Sequence, residues 1–248
     1  MEDKKINVVF FTGAGVSAES GIPTFRDSDG LWEGHDVRKV AHIDTWKSKV
    51  NRDANREIML NFYNQRRRDL EKVEPNSAHH AISGFEMSDK FSVNVITQNV
   101  DNLHEKAGSY KVLHLHGELT KARSTYYDHK TSPLDNIIDI GYNDINLGDK
   151  CPVTGSQLRP HIVWFGEDVP AWGEAIRQIQ EADVIVIVGT SLQVYPAASV
   201  LDYVKTNKII FVNPVIEAEF KTNSSYICFE ESATTGVKRA IEYIQNYF

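Results

Sequence analysis

The stretch from Asn7 to Ala18, NVVFFTGAGVSA, constrains the rest of the chain more than any other. Val8, Val9, Phe10 and Phe11 form an unbroken apolar run, the pattern of a strand buried on both faces of a parallel sheet. Gly13, Gly15 and Ala18 follow with G-x-G-x-x-A spacing, and Ala14 lies between the two glycines. After a buried strand, that spacing marks a strand-to-helix turn built for a dinucleotide. Gly13 permits the tight turn, Gly15 admits a pyrophosphate close to the backbone, and Ala18 lets helix pack on strand. The helix N-terminus offers N–H groups and partial positive charge to phosphates. A glycine turn without a ligand has the same short signature, so the downstream residues decide. Gly21 and Pro23 break the helix early, where an ordinary dehydrogenase runs on to a second strand and an acidic residue roughly 20 positions later. Thr24, Phe25, Arg26 and Asp27, with Gly30, Leu31 and Trp32, instead make a long loop able to fold back over the nucleotide.

Further apolar runs repeat the theme. The pattern predicts strands at 91–97, 112–115, 162–167, 183–188, 208–212 and 226–229. Helices are expected at 53–71, 78–87, 172–182, 196–205 and 234–248, with short amphipathic pieces at 37–41 and 43–50. Strands alternating with helices imply an α/β fold, a Rossmann-like parallel sheet with helices on both faces. A small or polar cluster follows most strands: GAG, QNVD, GTS, NPV and ESA. All are expected on the carboxyl edge of the sheet, the edge that binds ligands. Residues 1–35, 88–118 and 160–248 are assigned to the nucleotide-binding part of one 1–248 domain, 36–87 to a helical insertion and 119–159 to a small insertion of irregular, polar sequence.

Composition excludes several classes. A formal charge of −7 with no dominant basic stripe argues against a nucleic-acid partner; the one basic cluster is Arg66-Arg67-Arg68. No apolar run approaches the roughly 20 residues of a membrane span. Met1 to Lys5 leads straight into a strand, and two cysteines make no disulfide framework, so a reducing cytoplasm and a monomer are expected.

Taken together, GAGVSAESGIPTFRDSDGLW, TQNVDNLHEKAG (97–108), HLHGEL (114–119) and HIVWFGEDVP (161–170) resemble the motifs of the sirtuin family, the NAD-dependent protein lysine deacylases. The resemblance runs from Thr12 to the final helix. It implies NAD as a cosubstrate and acylated lysine side chains of proteins as partners. His116 matches the family's base, which activates a ribose hydroxyl; an imidazole near pKa 6.5 suits that work. Read alone, His116 fits a packed, hydrogen-bonded core histidine better; the run of matched motifs around it reverses that. Asn99 and Asp101 offer an amide and a carboxylate for the nicotinamide end, completing the catalytic set. The implied cofactor contacts are Gly13, Ala14, Gly15, Ala18, Glu19, Thr24, Phe25, Arg26, Trp32, Gln98, Asn99, Val100 and Asp101. Gly189, Thr190, Ser191, Asn213, Pro214, Val215 and Ala233 match contacts to the phosphates and adenosine. Val163, Phe165 and Gly166 match the segment that takes the acyl-lysine peptide as an added strand. His114 falls on the other side of its strand from His116 and reads as structural.

Tyr63 and Arg66 lie three apart on a helix and share a face. A phenol and a guanidinium together suit a carboxylate. Y-x-x-R here resembles the bacterial class III sirtuins, which remove succinyl, malonyl and glutaryl groups; the other reading is a solvated face shared with Arg67 and Arg68. The chain departs from the family at the structural zinc. The first Cys-x-x-Cys is expected near Ala122 to Thr125, where there is none, and Cys151 stands alone in the second. One thiolate falls short of four ligands, and Asp128 and His129 beside it are a poor substitute, so no zinc is expected. Two other functions fit the same scaffold: an NAD glycohydrolase or ADP-ribosyltransferase, and a non-catalytic NAD sensor.

Overall fold

The apolar runs assemble into a six-stranded, all-parallel sheet in a computed structural model, which describes residues 4–23, 36–127 and 136–248. The chain starts with β1 (Ile6–Thr12) and the one-turn α1 (Gly15–Ala18), then α2 (Val37–Val40), α3 (Ile43–Lys47), α4 (Arg52–Glu71) and α5 (Ser77–Glu86). Next come β2 (Phe91–Thr97), α6 (Leu103–Lys106), β3 (Val112–His114), β4 (Gly117–Ser124), β5 (Ile137–Asp139) and β6 (Leu158–Ile162). The last part carries α7 (Trp172–Glu181), β7 (Val184–Val188), a 3₁₀ helix (Ala197–Tyr203), β8 (Ile209–Val212), α8 (Ala218–Thr222), β9 (Tyr226–Phe229) and α9 (Ala233–Tyr247).

The sheet order is β3-β2-β1-β7-β8-β9. The chain steps outward from β1 to β3, re-enters beside β1 at β7, and steps the other way. Direction reverses between β1 and β7, and doubly wound sheets bind ligands beyond the carboxyl ends at such a reversal. Period-2 alternation sorts β1 between two cores. Val8 and Phe10 pack with Ile82 and Phe85 of α5 and Val237 and Ile244 of α9. Val9 and Phe11 pack on the opposite face with Ala175 and Ile179 of α7. Each such side chain taken out of water is worth about 1.5–3 kcal/mol.

A second lobe has its own core. Trp46, Met59, Leu60 and Phe62 from α3 and α4 pack against Leu119, Ala122, Ile162 and Trp164. Here the structure corrects several sequence expectations. The stretch 120–160 carries most of a three-stranded antiparallel sheet, β5-β4-β6, rather than irregular chain. Its strands read as polar because Arg123 and Arg159 point inward and are paired there. The strand expected at 162–167 instead ends at Ile162, and Gly166 takes φ +86° just beyond. The helix expected at 196–205 is a 3₁₀ helix. Within 36–87, α5 belongs to the parallel-sheet face rather than to the helical insertion, because Ala78, Ile82 and Phe85 are on its buried side. Arg67 leaves the solvated triplet entirely: it is buried, donating to Leu119 O at 2.8 Å, Asn64 Oδ1 at 2.7 Å and Asn143 O at 3.1 Å.

Candidate active site

The turns after β1 and β7 meet face to face at the sheet reversal. A Cβ on Gly15 would lie 2.6 Å from Gly189 Cα, and one on Gly13 would lie 2.7 Å from Thr190 Cβ. Gly189 itself takes φ +61°. Backbone N–H groups close the contact, Gly13 donating to Val188 O at 2.9 Å and Gly15 to Gly189 O at 2.8 Å. This changes the role expected of the fingerprint. The glycines admit each other's backbone, and the N–H groups of Gly13, Gly15, Val16 and Ser17 are already bonded within the protein. α1 is also only four residues long, so it supplies little dipole. Gln98, following β2, spans the crevice by donating to Thr190 Oγ1 at 3.0 Å.

Beneath the crevice lies a residue that the sequence motifs do not single out. Ser17 is fully buried; its hydroxyl donates to Asp101 Oδ2 at 3.0 Å and accepts from Asn99 Nδ2 at 3.1 Å. Its only sequence signal is a polar residue inside GAGVSA. Asp101 Oδ1 accepts the Leu103 N–H at 3.1 Å. Burial raises the Asp101 pKa, and the bonds from Leu103 and Ser17 oppose that rise. Thr12 and His104 Nε2 (3.1 Å) and the His79 ring, 4.9 Å from that of His104, continue the floor. Burial, first, and the neighbouring His80 push His79 down to about 4, so both floor rings are neutral near pH 7.

His116 stands at the crevice mouth, just after β3. Its Nδ1 is 2.8 Å from the Gln98 carbonyl oxygen. A carbonyl only accepts, so Nδ1 carries the proton and Nε2 keeps its lone pair. Burial pushes the His116 pKa below the ordinary imidazole value of 6.5, and the Gln98 bond pulls the other way. The ring is therefore a neutral base near pH 7. As the base, His116 should give a kcat/KM that falls on acidification with its midpoint below the ordinary imidazole value, as Nε2 takes a proton. A pH–rate profile measures the limb, and a fall beginning above pH 7 would count against this base. His114 is structural, as expected: its Nδ1 is 2.9 Å from Asn99 O and its Nε2 2.8 Å from Glu105 Oε1.

The segment 163–166 lies beside His116. Val163 N–H donates to the His116 carbonyl at 2.9 Å. Phe165, 48% exposed, has both its backbone groups engaged with 41–43, donating to Ala41 O at 2.9 Å and accepting from Ile43 N–H at 3.1 Å. On this segment the Val163 N–H and both backbone groups of Phe165 are therefore taken within the protein. A glycine at 117 suggests room kept open around the imidazole. The structure instead fills that space with backbone, a Cβ there lying 2.0 Å from His161 O. Tyr63 is buried, its hydroxyl accepting from Trp164 Nε1 at 2.9 Å, and burial raises its pKa so that it stays neutral. Arg66 lies with its guanidinium 5.5 Å from the Phe62 ring centre and 3.5 Å from Asp69 Oδ2, and its buried Nε has no hydrogen-bond partner among the described residues.

The remaining expected contacts are distributed around the same edge. Val100 O accepts from Leu119 N–H, and Asn213 Nδ2 donates to the carbonyl of Val215, whose side chain is exposed. Pro214, Ser191 and Ala18 lie in the same turns. Glu19 reaches across to α9, accepting from Thr234 N–H at 3.0 Å, Thr234 Oγ1 at 2.7 Å and Ser232 Oγ at 3.0 Å. These bonds hold its pKa low against the opposing effect of burial, and they leave it a helix-capping role next to Ala233. Thr24, Phe25, Arg26 and Trp32, with Asp128 and His129, lie outside the described residues.

Where the first zinc cysteines would stand, hydroxyls meet. Thr154 Oγ1 donates to Ser124 Oγ at 2.9 Å, and Ser156 Oγ is 2.6 Å from Ser124 Oγ and 2.9 Å from Thr154 Oγ1. Buried Cys151 frames the turn, its N–H donating to Ser156 O at 2.7 Å. Among the described residues no group of three or more His, Cys, Asp or Glu is placed to hold a metal ion. No helix among them is long and apolar enough to cross a membrane.

A parallel sheet with a glycine crevice at its reversal, a buried amide–carboxylate pair beneath it and a neutral imidazole at its mouth defines a nucleotide-dependent enzyme of the α/β class. Comparison with known proteins then places the chain in the Sir2 family, whose profile matches residues 13–196. It is 48% identical over 227 residues to an NAD-dependent protein deacylase of Helicobacter pylori (strain ATCC 700392 / 26695), covering 92% of each chain. It is 44% identical over 232 residues to one of Bacteroides thetaiotaomicron, covering 94% of this chain and 95% of the other. The crystal structure of a Sir2 homologue–NAD complex superimposes with a TM-score of 0.79 at 36% identity, covering 97% and 90% of the two chains.

Proposed function

We propose that the chain is an NAD-dependent protein lysine deacylase that uses His116 as its base and prefers acidic acyl groups. The observation that carries this is the position of His116: its Nδ1 is tied to Gln98 at the nucleotide crevice, and its carbonyl is tied to Val163 of the peptide segment. One residue thereby joins the two substrate sites. The crevice also fits the nucleotide chemically. Asn99 and Asp101 offer an amide and a carboxylate at its floor. NAD supplies the electrophilic ribose carbon and the nicotinamide leaving group. The chain's own part is to exclude water, orient the ribose through Asn99 and Asp101, and accept a hydroxyl proton at His116 Nε2. Free lysine, nicotinamide and O-acyl-ADP-ribose result.

The acidic-acyl preference rests on Tyr63 and Arg66. The Tyr63 oxygen accepts from Trp164 and so still has its own proton to donate. The unpartnered Arg66 Nε is a second donor one helical turn away. A net charge of −7 supports an enzyme with no nucleic-acid partner, and two cysteines without a disulfide support a cytoplasmic one.

The test is to incubate the protein with NAD and matched acetyl-, malonyl- and succinyl-lysine peptides, following nicotinamide release and peptide mass. Release without peptide would indicate a glycohydrolase, and no release a sensor. Charged hydrogen bonds are worth roughly 1.5–3 kcal/mol, so Arg66→Met should lower succinyl kcat/KM by about 10- to 100-fold. Acetyl activity should change less than about threefold. Equal losses would return Arg66 to a structural role.

A further inference from the structure

Glu167 lies between two guanidinium groups in the second lobe. Arg159 forks onto it, Nη1 donating to Oε1 and Nη2 to Oε2, both at 2.8 Å. Arg123 Nη2 donates to the same carboxylate at 3.2 and 3.4 Å. Both arginines are buried. A buried ion triad of this kind is rarely more stabilising than apolar residues of similar volume, because desolvation offsets the attraction. What such a cluster fixes well is geometry, and here its other contacts run to one short segment. Both Nη2 atoms donate to Ile162 O, at 2.8 Å from Arg159 and 3.1 Å from Arg123. Glu167 Oε2 accepts the Trp164 N–H at 2.9 Å. The Arg159 guanidinium lies 3.4 Å from the centre of the Trp164 ring, whose Nε1 holds the Tyr63 hydroxyl. Val163, between the two anchored residues, is the one bonded to the His116 carbonyl.

We propose that Arg123, Arg159 and Glu167 are positioning residues for the acyl-lysine peptide. They hold the backbone of Ile162 to Trp164, and through the Trp164 ring the Tyr63 hydroxyl, in register with His116. They act through that segment and not on the reacting atoms, and the inference rests on the deacylase reading above. The segment leaves β6 at Ile162 and keeps only single backbone bonds beyond it, Val163 to His116 and Phe165 to 41–43, and the three charged side chains anchor Ile162 and Trp164 on either side of Val163.

Arg123→Met tests this while leaving the stronger Arg159–Glu167 fork in place. The peptide KM is expected to rise about tenfold, with kcat and the Kd for NAD each within about twofold of wild type. Arg123→Lys keeps the charge and one donor, and should recover part of the loss. Glu167→Gln is the harsher variant: if folded by circular dichroism, it should raise peptide KM further. If it does not fold, the Arg123 pair still decides the matter. A fall in Tm or in kcat with peptide KM unchanged would make the triad a brace for the lobe and overturn the proposal. Wild-type protein that releases no nicotinamide with any acyl-peptide would instead sink the deacylase reading, and this inference with it.

Discussion

His116→Ala is expected to lower turnover by about 10³-fold, the middle of the range for loss of a positioned general base. NAD affinity, measured by calorimetry, should change little. The glycine crevice of Gly13, Gly15 and Gly189 is built from backbone that does not involve the imidazole, and Asn99 and Asp101 are held by Ser17. The backbone bond from Val163 to residue 116 survives the substitution, so the peptide segment keeps its anchor. The loss should therefore fall on kcat and not on either KM. Added imidazole, which restores a base of similar pKa, should recover part of the rate. A variant that turns over normally would remove His116 from the mechanism.

Gly117→Ala is expected to be the most damaging single methyl in the second lobe. The residue sits at φ +83°, where a Cβ is strained by about 1–2 kcal/mol. The new carbon would also fall 2.0 Å from His161 O, a clash that backbone has to move to relieve. Overpacking of this sort costs about 1–3 kcal/mol more. At roughly 2–4 °C per kcal/mol for a domain of this size, Tm should drop by about 10 °C. Gly155 supplies the control: it has φ +67° but nothing within 4 Å of where its Cβ would stand, so Gly155→Ala should show only the strain, about 3 °C. Comparable losses would mean that the clash is absorbed. Because β4 starts at Gly117, the damage should also reach His116, and activity should fall with Tm.

How much of this is legible in the sequence depends on burial. The strands at 91–97 and 226–229 can be read to the residue: Phe91, Val93 and Val95 alternate with Ser92 and Asn94 ahead of Ile96, and Tyr226 to Phe229 is a short unbroken apolar run. β6 escapes such a reading because LRPHI looks polar: the charge of Arg159 is balanced inside by Glu167, eight positions later, and nothing local announces that pairing. Arg67 passes for a surface residue for the same reason, its partners Leu119 and Asn143 being 52 and 76 residues away. The candidate site residues His116, Asn99 and Asp101 stand out because they follow strands on the carboxyl edge. Ser17 does not, because a small hydroxyl within a glycine-rich turn looks like turn chemistry. The meeting of Gly15 with Gly189 is equally hidden, since each glycine has a sufficient local explanation in its own turn.

The link from Glu19 to Thr234 spans 215 positions and joins the first turn of the chain to its final helix. During synthesis that order matters. β1 and its glycines leave the ribosome early, but β7, which flanks β1, and the α9 cap that receives Glu19 are made only in the last third of the sequence. A nascent chain halted short of residue 234 exposes one apolar edge of β1 or an unclosed crevice.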